Sequence, residues 1–79
     1  MAVMNNPFLK AFGIRIKTLR LQKGFSQEHL GLIAELDRTY ISGIERGLRN
    51  VSLINLERLA VALNVEPAEL LNFSKHEHV

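Results

Sequence analysis

Cysteine is absent from this 79-residue chain. Its absence excludes a disulfide framework and a thiolate metal site, and fits a reducing, cytoplasmic setting. No stretch approaches the 18 or more apolar residues of a membrane span, and "MAVMNNPFLKAFG" lacks the charged start and continuous apolar run of a signal peptide. No membrane partner is therefore expected. No polar linker, internal repeat or low-complexity segment divides the chain, so residues 1–79 are read as one domain, burying about 60% of the surface its unfolded form exposes. No pair of catalytic acids, nucleophile with its base, or phosphate loop appears, which excludes an enzyme, a small-molecule substrate and a cofactor from the expectation.

What is present is charge, unevenly placed. Residues 1–50 hold eight Lys/Arg against four Asp/Glu, whereas residues 51–79 hold two against four. With a pI near 9.4, this suggests a front half that faces a polyanion and a back half with another task.

Start and stop signals divide the chain into five helices and no strand, which makes the fold class all-α. Asn6-Pro7 opens a helix that closes near Lys23-Gly24, because proline is tolerated at the first helical position and asparagine caps the free backbone donors. Phe8, Phe12, Ile16 and Leu19 share one stripe of it, leaving Lys10, Arg15, Lys17 and Lys23 to solvent. Ser26 caps a second helix from Gln27 to about Ala34, with Leu30, Ile33 and Ala34 inward. Asp37 caps a third helix that Gly47 stops, with Ile41 and Ile44 inward. Ser52 caps a fourth carrying Leu53, Leu56, Leu59, Ala60 and Leu63 on one side, and Pro67 opens a short fifth through Leu71. Residues 74–79 read as a frayed tail.

Residues 27–46 resemble the helix-turn-helix of the lambda/434 repressor-like (XRE-type) family, in which a scaffold helix and a recognition helix meet across a tight turn. Leu30, Ala34, Leu36, Ile41 and Ile44 lie where that motif is apolar. Gly31 lies where two helices approach too closely for a larger side chain. "DRTYISGIERGLRN" looks most like the small controller proteins of restriction-modification systems, which regulate transcription of their own and the endonuclease genes. One departure is Glu35, where the turn often has glycine. A side chain held there at positive φ costs about 1 kcal/mol.

The resemblance implies a recognition helix whose N-terminal end enters the major groove of double-stranded DNA. Arg38, Thr39 and Ser42 are the candidate base readers, Arg38 through paired hydrogen bonds to guanine O6 and N7. Gln27, Tyr40, Arg46, Arg49 and Asn50 are the candidate backbone contacts. Arg20 and Glu45 match family residues that form a structural ion pair between the first and third helices. Gly43 either admits the DNA backbone or relieves a crowded helix contact.

Two copies reading half-sites about 34 Å apart gain both affinity and site length, so a homodimer on a partly palindromic operator is expected. Its interface is sought in about residues 52–73, at Leu53, Ile54, Val65, Leu70 and Phe73, with Val61 and Leu71 beside them. RNA polymerase enters as a partner because the position of the operator relative to it decides between activation and repression.

Blander readings compete. An isolated arginine is ordinarily a solvated surface residue, and a tyrosine often packs at a core edge. Ser26 reads as a cap rather than a nucleophile, and the basic first helix as core-packed rather than lying on a membrane. His29, His76 and His78 lack the closed ligand set of a zinc site, so no metal is expected. A phage-type repressor, the antitoxin of a toxin-antitoxin pair and a protein-interaction module remain as alternative functions.

Overall fold

The helices begin where short polar side chains can satisfy free backbone N–H groups. The computed structural model describes residues 6–73, so the tail at 74–79, with His76 and His78, lies outside the described residues. Asn6 Oδ1 accepts from the backbone N–H of Phe8 and Leu9, and Pro7 opens α1 (Pro7–Gln22). Ser26 Oγ accepts from His29 at the head of α2 (Gln27–Ala34). Asp37 accepts from Thr39 at the head of α3 (Arg38–Glu45), and Ser52 from Asn55 at the head of α4 (Leu53–Leu63). Each such cap contributes about 1 kcal/mol.

The helices end where the backbone can turn left-handed. Gly24 and Gly47 do so at φ of +76° and +77°, and Glu35 and Asn64 at 61° and 58°. The α2–α3 turn therefore keeps its left-handed geometry without glycine. Its backbone closes through the N–H of Leu36, which donates to the Gly31 carbonyl at 2.8 Å.

The expected fifth helix is a 3₁₀ helix, Pro67–Leu71, with no side-chain cap hydrogen bond. Five residues are too few to recover the cost of nucleating an α-helix, so the described residues form four α-helices and one 3₁₀ helix.

Phe12, Ile16 and Leu19 of α1, Leu30 and Ala34 of α2, Ile41 and Ile44 of α3, and Leu59, Ala60 and Leu63 of α4 join Leu70 in one core. Several inward assignments need correcting. Phe8 is half exposed at the first turn of α1, where its ring meets Phe73 at 5.2 Å between centroids. Ile33 and Leu53 also face outward. Arg15 is not left to solvent: its Nε donates to the Glu69 carbonyl at 2.9 Å and its Nη2 sits 3.3 Å from Glu69 Oε1, tying α1 to the 3₁₀ helix.

The expected interface residues separate into two groups. Leu70 is fully buried inside its own chain, and Val65 and Phe73 pack half-buried against the same core. Leu70 is therefore a core residue, since a side chain with no accessible surface has none to give a partner. Leu53 and Ile54 remain outward, 81% and 61% exposed.

Candidate nucleic-acid interface

Two glycines set how α3 sits. A Cβ on Gly31 would come within 2.6 Å of the Leu36 carbonyl, so α2 meets the turn without a side chain between them. Gly13 does the same for α1: a Cβ there would overlap the Ile44 carbonyl and approach the Glu45 carbonyl at 2.7 Å. Gly31 was legible as a close approach. Gly13 was not, because its partner lies some thirty residues away in sequence.

With backbone contact made, a buried ion pair fixes orientation. Arg20 Nε donates to Glu45 Oε2 at 2.6 Å, and its Nη2 donates to Oε1 at 3.0 Å. Arg20 Nη1 also donates to the Phe25 carbonyl at 2.8 Å. Both residues are buried, so this two-pronged pair holds α1 and α3 at one rotation. The N-terminal end of α2 joins it, because Gln27 Nε2 donates to Glu45 Oε1 at 3.1 Å. Gln27, expected to contact phosphate, thus has one amide hydrogen committed inside the protein and a second that this bond does not use.

Held this way, α3 buries Ile41, Gly43, Ile44 and Glu45 and turns Arg38 and Thr39 to solvent, with Tyr40 and Ser42 at the margin. The Arg38 guanidinium enters no ion pair among the described residues. Arg46, Arg49 and Asn50 follow, all exposed.

Three local contacts shape this surface. Asp37 Oδ1 accepts from both the backbone N–H and the hydroxyl of Thr39, at 2.8 and 2.7 Å. The hydroxyl hydrogen bond, then the backbone one, hold the Asp37 carboxyl below its ordinary value of 3.8. The Tyr40 hydroxyl accepts from Asn55 Nδ2 at 3.1 Å, and the Arg49 guanidinium lies over the Tyr40 ring, 5.4 Å from its centroid. Arg49 also fills the space beside Gly43, where a Cβ would lie 3.0 Å from its Cγ and Nε. Asn55, fifteen residues beyond Tyr40, went unread because neither motif nor periodicity links α4 to that ring.

An exposed, basic helix end standing on a two-helix scaffold with a tight left-handed turn defines a helix-turn-helix DNA-binding protein. The family model described as Helix-turn-helix matches residues 16–70, and the chain belongs to that family. Among its relatives are restriction-modification control proteins. Control protein C.BamHI from Bacillus amyloliquefaciens is 49% identical over 72 residues, covering 90% of this chain and 89% of that protein. The crystal structure of the restriction-modification controller protein C.AhdI from Aeromonas hydrophila superposes with a TM-score of 0.78 at 55% identity, covering 78% of this chain and 94% of that one. The controller protein C.Esp1396I, solved as a tetramer with its natural 35 base-pair operator, gives 0.74 at 43% identity over 80% of this chain and 83% of that one.

Proposed function

We propose that this chain is the transcriptional controller of a restriction-modification system and binds a partly palindromic operator as a homodimer, with α3 in the major groove. The supporting observation is the outward face of α3: Arg38 and Thr39 are exposed while Ile41 and Ile44 anchor the same eight-residue helix in the core. B-DNA's major groove is about 12 Å wide and accepts one helix of this kind. Arg38, Thr39 and Ser42 read bases. Tyr40, Arg46, Arg49, Asn50 and the second amide hydrogen of Gln27 hold the backbone. Arg49, stacked on Tyr40, extends the basic edge beyond the helix end.

Dimerisation rests on apolar surface that the monomer leaves uncovered. Leu53, Ile54 and Val61 of α4 are 81%, 61% and 74% exposed, and Leu71 follows at 46%. A groove of about 320 Å³ lies between the start of α1 and α4, lined by Phe8, Leu9, Phe12, Val51, Leu56 and Leu71 together with the polar Asn6 and Asn50. Covering such surface favours a second copy, and two copies double the number of bases read. A cytoplasmic location and a neighbouring RNA polymerase belong to the same reading.

Titrating the protein against duplex DNA at two salt concentrations tests it. Each phosphate neutralised steepens the logarithmic salt slope by about 0.9, so binding that weakens sharply with salt supports the regulator. Salt-insensitive or absent binding would favour a protein-interaction module.

A further inference from the structure

We propose that Asp37 fixes Thr39 as a hydrogen-bond acceptor, so that Thr39 selects a base presenting an exocyclic amino group in the major groove, adenine or cytosine. This rests on the placement of α3 in that groove and adds what its second residue recognises there.

A threonine hydroxyl has one hydrogen to give and two lone pairs to receive, so a free threonine tolerates donor and acceptor bases alike. Thr39 is not free. Its hydroxyl oxygen lies 2.7 Å from Asp37 Oδ1. An ionised carboxylate only accepts, so the shared hydrogen belongs to Thr39 and points back toward the cap. The carboxyl is kept ionised by the two hydrogen bonds it receives from Thr39. What Thr39 then shows to solvent is oxygen lone pairs and a methyl group. In the major groove adenine N6 and cytosine N4 donate, whereas guanine O6 and thymine O4 accept. Lone pairs facing guanine O6 or thymine O4 repel, and facing an amino group they bond.

The arrangement is economical in conformational terms. The Asp37 carboxylate is already held by the backbone N–H of Thr39 at 2.8 Å, so the polarity of the hydroxyl is set before DNA arrives. Asp37 is therefore a positioning residue, acting on the base through Thr39.

The test uses the full chain and duplexes selected from a library with a randomised central window, followed by deletion of a single functional group. In the selected duplex, each adenine or cytosine of the half-site is replaced in turn by purine or 2-pyrimidinone, the analogues lacking the amino group. At one position wild type should lose about tenfold in affinity, the worth of one hydrogen bond to a neutral donor. Thr39→Val keeps the size and a methyl but has no lone pair, and should be indifferent to the same replacement. Asp37→Ala, checked by circular dichroism for retained helix, releases the hydroxyl and should admit guanine or thymine at that position. If every replacement costs Thr39→Val as much as wild type, or if the position tied to Thr39 selects guanine or thymine, Thr39 is not an obligate acceptor. Absence of any sequence-selective, salt-sensitive binding would instead overturn the groove placement and, with it, this assignment.

Discussion

Replacing Glu45 by alanine isolates what orients the recognition helix. Arg20 would keep its cation in a site only 7% exposed, with the Phe25 carbonyl as its remaining partner. Breaking a buried pair by removing one member costs about 3–5 kcal/mol, because the surviving charge stays desolvated. A domain of 79 residues has roughly 4–12 kcal/mol in all, at about 0.05–0.15 per residue. Glu45→Ala should therefore leave the protein marginal. With a urea slope of about 1 kcal/mol per molar, its unfolding midpoint should fall by about 3 M or more. The double variant Arg20→Met with Glu45→Leu removes both charges and should recover most of the loss, short of about 1–3 kcal/mol for the orphaned Phe25 carbonyl. Glu69→Ala is the control: the Arg15–Glu69 pair is 21% and 52% exposed at its side chains, so its loss should cost no more than about 1 kcal/mol. Urea denaturation followed by circular dichroism reads all four proteins. If Glu45→Ala costs no more than Glu69→Ala, the buried pair does not hold α3.

Three further outcomes are expected. Gly31→Ala places a Cβ against the Leu36 carbonyl and should destabilise by about 1–3 kcal/mol, whereas Glu35→Gly relieves a left-handed backbone and should stabilise by up to about 1 kcal/mol; thermal melts distinguish the signs. Asp37 has a lowered folded value, so its contribution is fully present above the ordinary 3.8 and is lost as pH falls through the lower folded value. Acid titration of Asp37→Asn, which caps without ionising, should lack that loss, and identical acid profiles would count against the cap. Leu53→Asp should yield monomers in sedimentation and lose only the concentration-dependent stability that dimerisation adds, while Leu70→Ala should cost about 2–5 kcal/mol because Leu70 is core. A dimer that survives Leu53→Asp would place the interface elsewhere.

Local signals were the legible part of this chain. Asn6, Ser26, Asp37 and Ser52 each cap the helix assigned to them, because a cap needs only a short side chain and the next two or three N–H groups. Glu35 was readable as a left-handed turn residue from its place in the motif. Periodicity locates the apolar stripes of α1 and α2 but not where burial along them stops, so Phe8 and Ile33 read as inward. Both stay half exposed, Phe8 even though its ring meets Phe73. Leu70 departs in the opposite direction: the apolar excess of residues 52–73 argues for an interface, yet Leu70 is buried in the core of its own chain, on a 3₁₀ helix that packs against α1 and α4. The Tyr40–Asn55 and Arg15–Glu69 contacts join residues 15 and 54 positions apart, and no local pattern encodes such separations.

On the proposed reading, Arg38 at the head of α3 meets guanine in the major groove. Methylation of guanine N7 by dimethyl sulfate probes that groove directly. Bound to its selected operator, the wild-type protein should protect one guanine N7 in each half-site, and Arg38→Ala should lose that protection along with about 1–3 kcal/mol of preference for that base pair. Protection unchanged by Arg38→Ala, or confined to adenine N3 in the minor groove, would contradict it.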